Sequence, residues 1–251
     1  MPVDTSTGRG LTIPREFGDG RIEKFDQELQ SLLESGASVI HLSCAELDHF
    51  SSVHVGVLWA AIRTCQERGC LLRLCDVSAG LQRVLDTLDL ADMFNAHQHL
   101  PGPGGTVTRE PREAHGTDNF RLTFTRSEFP AALVQYRQHL DAWGMSPRLI
   151  FELHSIFYEV VQNILLHAGL SDSGQVGVQC QFVCGLLTMT IVDGGVAFDP
   201  TAAKVEPDLR VAARQRRTRG LGIFMMRKLT DHIEYKRVGN QNVLTIEKRV
   251  R

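Results

Sequence analysis

The sequence predicts two domains that both mix helices and strands. The first is predicted to be a small α/β layer, and the second is predicted to be an α+β sandwich with helices on one face of a mixed sheet. The chain has 251 residues, 43% of them hydrophobic, so each half can bury a core of its own. Between the halves, residues 98–117 are rich in proline, glycine and charge and lack any apolar period, as linkers do. We therefore expect domains at residues 1–97 and 118–251.

In the first domain, helical patterns alternate with short strand-like runs. Apolar residues spaced by three and four predict helices at 22–33, 55–65 and 81–88. Runs of apolar residues predict strands at 38–42 and 71–75. Ser78 is a suitable N-cap for the third helix. The alternation is typical of a small α/β layer.

In the second domain, helices come first and a hairpin follows. Helices are predicted at 129–143, 148–168 and 220–229. Strands are predicted at 121–125, 175–183, 186–192 and 243–248. The dipeptide Cys184-Gly185 between the second and third strands favours an antiparallel hairpin.

Charge and composition narrow the classes of partner. The chain has 27 Lys and Arg against 29 Asp and Glu, so we expect neither direct nucleic-acid binding nor a polybasic membrane ligand. Residues 1–20 are too polar for a signal peptide, and no other stretch is apolar enough to span a bilayer, so we expect a cytoplasmic protein. None of the six cysteines has CxxC spacing, which favours buried reduced thiols over a metal site.

Three segments of the second domain carry polar groups suited to a nucleotide. Glu159, Asn163 and His167 recur every four residues and form one stripe on a predicted helix. The turn at 193–200 begins with Asp193, whose carboxylate can accept a hydrogen bond from an exocyclic amine such as that of adenine. The run Arg219-Gly220-Leu221-Gly222 opens a helix, and free amides at a helix start favour phosphate.

The order of these segments resembles a known ATP-binding family. Glu-x-x-x-Asn, then Asp-x-Gly-x-x-Phe-Asp-Pro, then Gly-x-Gly is similar to the family of gyrase, Hsp90, histidine kinases and MutL (the GHKL ATPases). The Phe-Asp-Pro ending and the run GLGIFMMRKLTDHIEY look most like the anti-sigma-factor serine kinases. The resemblance covers residues 118–251.

The resemblance implies a role for each polar group. Asn163 would coordinate Mg²⁺ on the phosphates of ATP, Asp193 would recognise adenine, and Glu159 would be the general base toward a serine hydroxyl. The residues expected to shape the pocket are Gly195, Gly220, Leu221 and Gly222. From the residues alone, Glu159 has a second interpretation as a solvated helix residue.

Two features of this domain depart from the family or are ambiguous. Ala197 stands where the family commonly has a second glycine, which would lower nucleotide affinity. The basic run at 214–219 lies where the family has a lid over ATP, so its arginines either meet phosphate or form an ordinary exposed charge run.

The first domain resembles the STAS domain of anti-sigma-factor antagonists over about residues 11–94. In that family the cognate kinase phosphorylates a serine at the start of a helix, and alignment on Gly56 places Ser52 there. Ser51 replaces a usual aspartate and His54 a usual glycine, which weakens the case for phosphorylation. Ser52 can also be an ordinary N-cap, and His54 a surface or packing residue.

The whole chain is therefore expected to be a partner-switching regulator of transcription. An ATP- and Mg²⁺-dependent serine kinase domain would phosphorylate Ser52 or an external STAS protein. The resemblance implies a sigma factor or anti-sigma regulatory protein as partner, an intramolecular contact between the tethered domains, and a homodimer. The alternative is a non-catalytic, nucleotide-gated binding module. A histidine-kinase fragment is less favoured, because no helix pair bearing a phosphoacceptor histidine precedes the ATP domain.

Overall fold

The computed structural model describes residues 9–17, 20–88, 90–91, 118–202 and 220–250. They fall into two compact units, one containing the described residues up to Ala91 and the other those from Asp118 onward. The predicted linker at 98–117 and the basic run at 214–219 lie outside the described residues.

The first unit is a parallel sheet covered by helices. Its elements are β1 (Arg9–Thr12), α1 (Arg21–Glu34), β2 (Val39–Ser43), α2 (Ser52–Glu67), β3 (Leu71–Cys75) and α3 (Ala79–Thr87). The strand order is β1-β2-β3, and both pairs are parallel. Ile40 and Leu42 of β2 are fully buried, so the central strand anchors the core. The predicted Ser78 cap accepts a hydrogen bond from the amide of Leu81 at 3.1 Å.

The sequence-based interpretation missed β1. This strand has only four residues and lies within a polar, proline-containing stretch. Its pairing depends on β2, where Leu11 is opposite Leu42. Because the partner strand rather than a local pattern fixes β1, the apolar period gives no signal for it.

The second unit is a five-stranded sheet with its helices between β4 and β5 and after β6. Its elements are β4 (Asp118–Phe124), α4 (Phe129–Ala142), α5 (Pro147–His167), β5 (Val176–Val183), β6 (Leu186–Asp193), α6 (Leu221–Leu229), β7 (His232–Val238) and β8 (Gln241–Arg249). The strand order is β4-β5-β6-β8-β7.

The prediction of a mixed sheet was wrong, because every strand pair of this unit is antiparallel. Two helices separate β4 from β5, and each element reverses the chain, so β5 returns antiparallel to β4. One helix separates β6 from β7, which makes these two strands parallel in direction. However, β8 lies between them and is antiparallel to both.

Helix α5 is the central helix of this unit. It begins at the N-cap Ser146, whose hydroxyl accepts a hydrogen bond from the amide of Leu149 at 3.3 Å, and Pro147 occupies its first turn. By length and composition α5 could cross a membrane, but 67% of its most apolar window is buried inside the protein. The burial identifies α5 as the core helix of its domain.

The cysteines are largely buried in the way expected. Burial raises the pKa of the Cys44 and Cys65 thiols to about 12, so both stay protonated and unreactive. Cys184 differs from the expectation, because it is exposed in the hairpin turn at a φ of 48°.

An aromatic cluster between α4, α5 and the sheet contains a buried tyrosine, Tyr136. Tyr136 stacks on Phe157 with ring centroids 4.2 Å apart and is fully buried. Its hydroxyl has no hydrogen-bond partner in the part of the chain that the structure describes. Burial raises the pKa of Tyr136 well above its ordinary value of 10.

We predict that Tyr136→Phe raises the free energy of unfolding of the second domain by about 1 kcal/mol, because an unpaired buried hydroxyl carries its full desolvation cost. The measurement is urea unfolding followed by Trp143 fluorescence in a Trp59→Phe background.

Tyr235→Phe is the matched control for Tyr136→Phe. The Tyr235 hydroxyl donates to Asn242 Oδ1 at 2.8 Å, so its removal should lower the free energy of unfolding by about 1 kcal/mol. Equal losses in the two variants would show that the Tyr136 hydroxyl has a partner after all.

Candidate functional site

The polar stripe of α5 is graded in burial rather than uniformly solvated. Glu159 is 4% exposed, Asn163 is half-buried and His167 is exposed near the end of the helix. The interpretation of Glu159 as a solvated helix residue is therefore wrong. Glu159 is a carboxylate buried within its domain, as is Glu152 on the same helix.

The first turn of α6 packs directly on the side chains of Glu159 and Asn163. Gly220 is the N-cap of α6 with a φ of 86°, a left-handed conformation that favours glycine. A Cβ placed on Gly222 would overlap Oε2 of Glu159 and lie 3.1 Å from Nδ2 of Asn163. The absence of a side chain at position 222 thus lets the helix start approach both polar groups.

Leu221 contributes to this region through its backbone. Its side chain is 3% exposed and belongs to the core of the unit. The predicted pocket role of Leu221 can therefore rest only on its amide, which is one of the first-turn amides without an intrahelical acceptor.

Asp193 ends β6 and turns its carboxylate back toward its own backbone. It is 5% exposed, and its Oδ1 accepts hydrogen bonds from the amide of Gly195 at 2.8 Å and from Nδ2 of Asn242 at 2.9 Å. These two bonds fix one carboxylate oxygen. They leave Oδ2 without a hydrogen bond from any residue the structure describes.

Gly195 joins this turn to the end of α5. The amide of Val196 donates to the carbonyl of Ala168 at 2.8 Å. A Cβ on Gly195 would lie 2.5 Å from that same carbonyl oxygen and 2.9 Å from Oδ1 of Asp193. Only glycine fits here, so this position is a close approach of two backbones.

Helix α5 therefore brings the predicted groups to one side of the second unit. Gly222 packs at Glu159 and Asn163, and Gly195 packs at Ala168. Asn163 and Ala168 are five residues apart, a rise of about 7.5 Å along a helix. The exposed Ala197 lies in the turn beside this site.

The sequence-based interpretation missed three residues behind Asp193. Asn242 on β8 donates to Asp193, while Tyr235 and Arg237 on β7 both donate to Oδ1 of Asn242, at 2.8 and 2.7 Å. No short motif marks these residues. Only the register of β6 with β8, which places Asp193 opposite Asn242, brings them to the site.

Hydrogen bonds also hold the segment at 199–201, which follows the turn after β6. Asp199 accepts hydrogen bonds from the amide and hydroxyl of Thr201 at 2.8 and 2.6 Å, and those bonds lower the pKa of Asp199. Arg227 on α6 donates to the carbonyls of Pro200 and Thr201 at 2.6 and 2.8 Å. The Phe-Asp-Pro ending is thus tied to α6.

In the first unit, the start of α2 differs from the predicted arrangement around Ser52. Ser51, not Ser52, is the N-cap: its hydroxyl accepts a hydrogen bond from the amide of His54, and Nδ1 of His54 accepts one from the amide of Ser51 at 3.0 Å. Ser52 is the first helical residue and is half-buried, whereas Ser51 is 1% exposed. Of the two hydroxyls, that of Ser52 is the more accessible.

His54 is a buried structural residue and not a surface one. Its Nδ1 accepts a hydrogen bond, so Nε2 carries the hydrogen and lies 3.3 Å from the carbonyl of Pro14. Burial lowers the pKa of His54 to about 3 from its ordinary 6.5. The ring is therefore neutral at physiological pH and completes a capping box.

Comparisons with known proteins agree with both halves of this description. The family model described as histidine kinase-like ATPase domain matches residues 124–248, and the one described as Mlab, STAS domain matches residues 16–95. No curated protein matches the chain. Among solved structures the chain is similar to the Acinetobacter baumannii histidine kinase AdeS, with 12% identity over 92% of this chain and 95% of that chain. The TM-score of 0.34 is too low for that likeness to bear on the fold.

The second domain is therefore a histidine kinase-like ATPase domain. A domain of this class implies ATP binding. The chain therefore joins a STAS domain to a histidine kinase-like ATPase domain, which confirms the predicted pairing.

We predict that the first domain becomes less stable as pH decreases, because His54 is buried in its neutral form. Because its folded pKa of about 3 lies below the unfolded value of 6.5, the unfolded chain binds the extra proton first. The stability is full above pH 6.5 and is lost as pH falls toward 3, by about 1.4 kcal/mol per unit, or about 2 kcal/mol between pH 6.5 and 5.

The test follows urea unfolding of the first domain by Trp59 fluorescence in a Trp143→Phe background at several pH values. His54→Gln keeps an acceptor at the third helical position and should flatten the pH dependence. His41→Gln, on β2, is the control and should keep the slope. An unchanged slope in His54→Gln would assign the effect to another group.

We also predict that Gly195→Ala lowers the stability of the second domain far more than Gly194→Ala does. A Cβ at 195 meets backbone and Asp193, so the variant should destabilise the second domain by about 3 kcal/mol and abolish nucleotide binding. A Cβ at 194 meets nothing within 4 Å, so Gly194→Ala should cost less than about 1 kcal/mol. Thermal unfolding of both variants decides, and similar melting temperatures would mean that the turn at 195 is not a tight approach.

Proposed function

We propose that this chain is an ATP- and Mg²⁺-dependent serine kinase of the partner-switching kind, acting in the cytoplasm on Ser52 or on an external STAS protein. The observation that carries the proposal is the burial of Glu159 against the first turn of α6, one helical turn from Asn163. Gly222 in that turn leaves room for the Glu159 carboxylate, and its lack of a side chain lets the start of α6 approach both polar groups.

The base and the phosphates of ATP would use different ends of the site. Oδ2 of Asp193 would accept a hydrogen bond from the amine of adenine, because Oδ1 is already occupied by two donors. The first-turn amides of α6, including those of Leu221 and Gly222, would receive the phosphates at the positive end of the helix dipole. The approach of Gly222 to Asn163 places that helix start beside the predicted metal ligand.

The donor set fits a magnesium ion held mainly by the nucleotide. Mg²⁺ prefers hard oxygen ligands and usually keeps several waters, with one or two protein ligands besides the phosphates. Asn163 offers a carboxamide oxygen on the half-buried face of α5. Bound there, the ion would neutralise charge on the transferring phosphate.

Glu159 would then serve as the proton acceptor. The serine oxygen attacks the terminal phosphorus of ATP, the bond from that phosphorus to the oxygen of ADP breaks, and the hydroxyl proton passes to the Glu159 carboxylate. Burial keeps this carboxylate out of bulk water, which favours a proton transfer aimed at a bound hydroxyl.

Ser52 of the STAS domain is the proposed acceptor within this chain. Ser51 caps α2 and is 1% exposed, and Ser52 is half-buried at the first position of α2. A phosphate at Ser52 would change the charge of a docking surface for a sigma factor or anti-sigma regulatory protein. An intramolecular complex of the two domains and a homodimer remain part of this proposal.

We predict that Glu159→Gln lowers the rate of phosphoryl transfer by about 10²- to 10⁴-fold and changes ATP affinity little, because the amide cannot accept the proton. Gly222→Ala, whose new methyl group displaces the Glu159 carboxylate, should lower the rate in the same direction. Transfer is measured with labelled ATP and Mg²⁺, and affinity by calorimetry.

Glu152→Gln is the matched control for Glu159→Gln. Glu152 is similarly buried on the same helix and pairs with Lys248 at 3.3 Å, so its loss should lower stability and leave the transfer rate unchanged. Ser52→Ala should remove label from the chain itself while transfer to an added STAS protein continues. ATP binding without transfer in the unaltered chain would instead support the alternative, a nucleotide-gated binding module.

A further inference from the structure

Behind Asp193 lies a hydrogen-bond network that the nucleotide chemistry alone does not require. Its centre is the side chain of Asn242, which is 6% exposed. The register places it directly opposite Asp193 across β6 and β8, and opposite Arg237 across β7 and β8. Three strands thus meet at the residue next to the proposed adenine acceptor.

We propose that Asn242, held by Arg237 and Tyr235, is a positioning residue that aims the Asp193 carboxylate and so sets the preference for adenine over guanine. This inference rests on the proposed ATP site. It assigns to Asn242 a role through Asp193 rather than through contact with the reacting atoms.

The first support is that the Asn242 amide uses its full hydrogen-bonding capacity. Nδ2 donates to Oδ1 of Asp193 at 2.9 Å and to the carbonyl of Val196 at 3.0 Å. Oδ1 accepts from Tyr235 at 2.8 Å and from Nη1 of Arg237 at 2.7 Å. A carboxamide has two donor hydrogens and two acceptor positions, and all four are matched.

The second support is that the network reaches both sides of the turn. Nη1 of Arg237 also donates to the carbonyl of Gly195 at 2.9 Å, and the amide of Gly195 donates to Asp193. Asp193, Gly195, Asn242 and Arg237 therefore form a closed ring of hydrogen bonds. A closed ring of hydrogen bonds of this kind restricts the rotamers of the side chains in it.

The consequence for the ligand follows from the two oxygens of Asp193. Oδ1 is filled by two donors from this network, so Oδ2 is the oxygen presented to a base. Adenine offers an amine there, which donates to the carboxylate. Guanine offers a carbonyl oxygen, whose lone pairs repel a carboxylate. A carboxylate free to rotate would discriminate less, because a displaced oxygen weakens both the attraction and the repulsion.

The test compares Asn242→Asp with Asn240→Asp, the same change two residues away at an exposed position in the turn between β7 and β8. Calorimetry gives the dissociation constants of ATP and GTP for the unaltered chain and both variants. We expect Asn242→Asp to weaken ATP binding on the order of tenfold at pH 8 and to reduce the ATP-to-GTP affinity ratio, since both hydrogen bonds donated by Nδ2 are lost and a like charge is added beside Asp193. Asn240→Asp should match the unaltered chain.

A pH series separates positioning from general damage. The titratable or charged groups that contact Asn242 in the described residues are Asp193, Tyr235 and Arg237. At acidic pH a carboxylic acid at position 242 shares one proton with Asp193 and can replace the hydrogen bond to Asp193, though not the one to Val196, whereas two carboxylates repel at alkaline pH. ATP affinity of Asn242→Asp, relative to the unaltered chain, should therefore recover as pH falls.

Tyr235→Phe provides a milder variant should Asn242→Asp fail to fold. It removes one of the four bonds of Asn242 and should lower the ATP-to-GTP ratio by a smaller factor while far-ultraviolet circular dichroism is unchanged. An unchanged ratio in the folded variants of both positions overturns this inference alone. No binding of either nucleotide by the unaltered chain overturns the proposed ATP site together with it.

Discussion

The close packing of two glycine-bearing segments on helix α5 is the constraint on which the site depends. Gly195 admits the backbone of Ala168, and Gly222 admits the side chains of Glu159 and Asn163. Both contacts leave no room for a methyl group, so they fix where the turn after β6 and the start of α6 can lie. Both segments pack on α5, a long helix that is largely buried.

The two ends of the site are held by different physics. At the Glu159 end, steric fit brings the amides of a helix start to a buried carboxylate and a carboxamide. At the Asp193 end, directed hydrogen bonds through Asn242 and Arg237 fix the orientation of one carboxylate. Steric fit tolerates small shifts of flexible phosphate oxygens, whereas recognition of a planar base requires direction. This division would suit the two parts of the proposed nucleotide ligand.

Periodic patterns predicted the helices well, because each helix buries one apolar face at the spacing a helix requires. Motif order predicted Glu159, Asn163 and Asp193 as site residues, although no residue pattern could show that Glu159 is buried. Strand pairing determined three features that no local sequence pattern predicted. Strand β7 has an almost wholly exposed pattern, Asn242 carries no motif, and the antiparallel sheet follows from β8 lying between β6 and β7.

The start of α2 shows how a phosphate could act as a signal without disturbing the fold. The capping box uses Ser51 and a neutral His54, so Ser52 is not needed to cap the helix. A dianion at the first helical position is stabilised by the positive end of the helix dipole. Phosphorylation there would therefore leave α2 intact, and its effect would have to come from repulsion or attraction at the surface of a partner. A switch of that kind changes binding while the STAS domain keeps its structure.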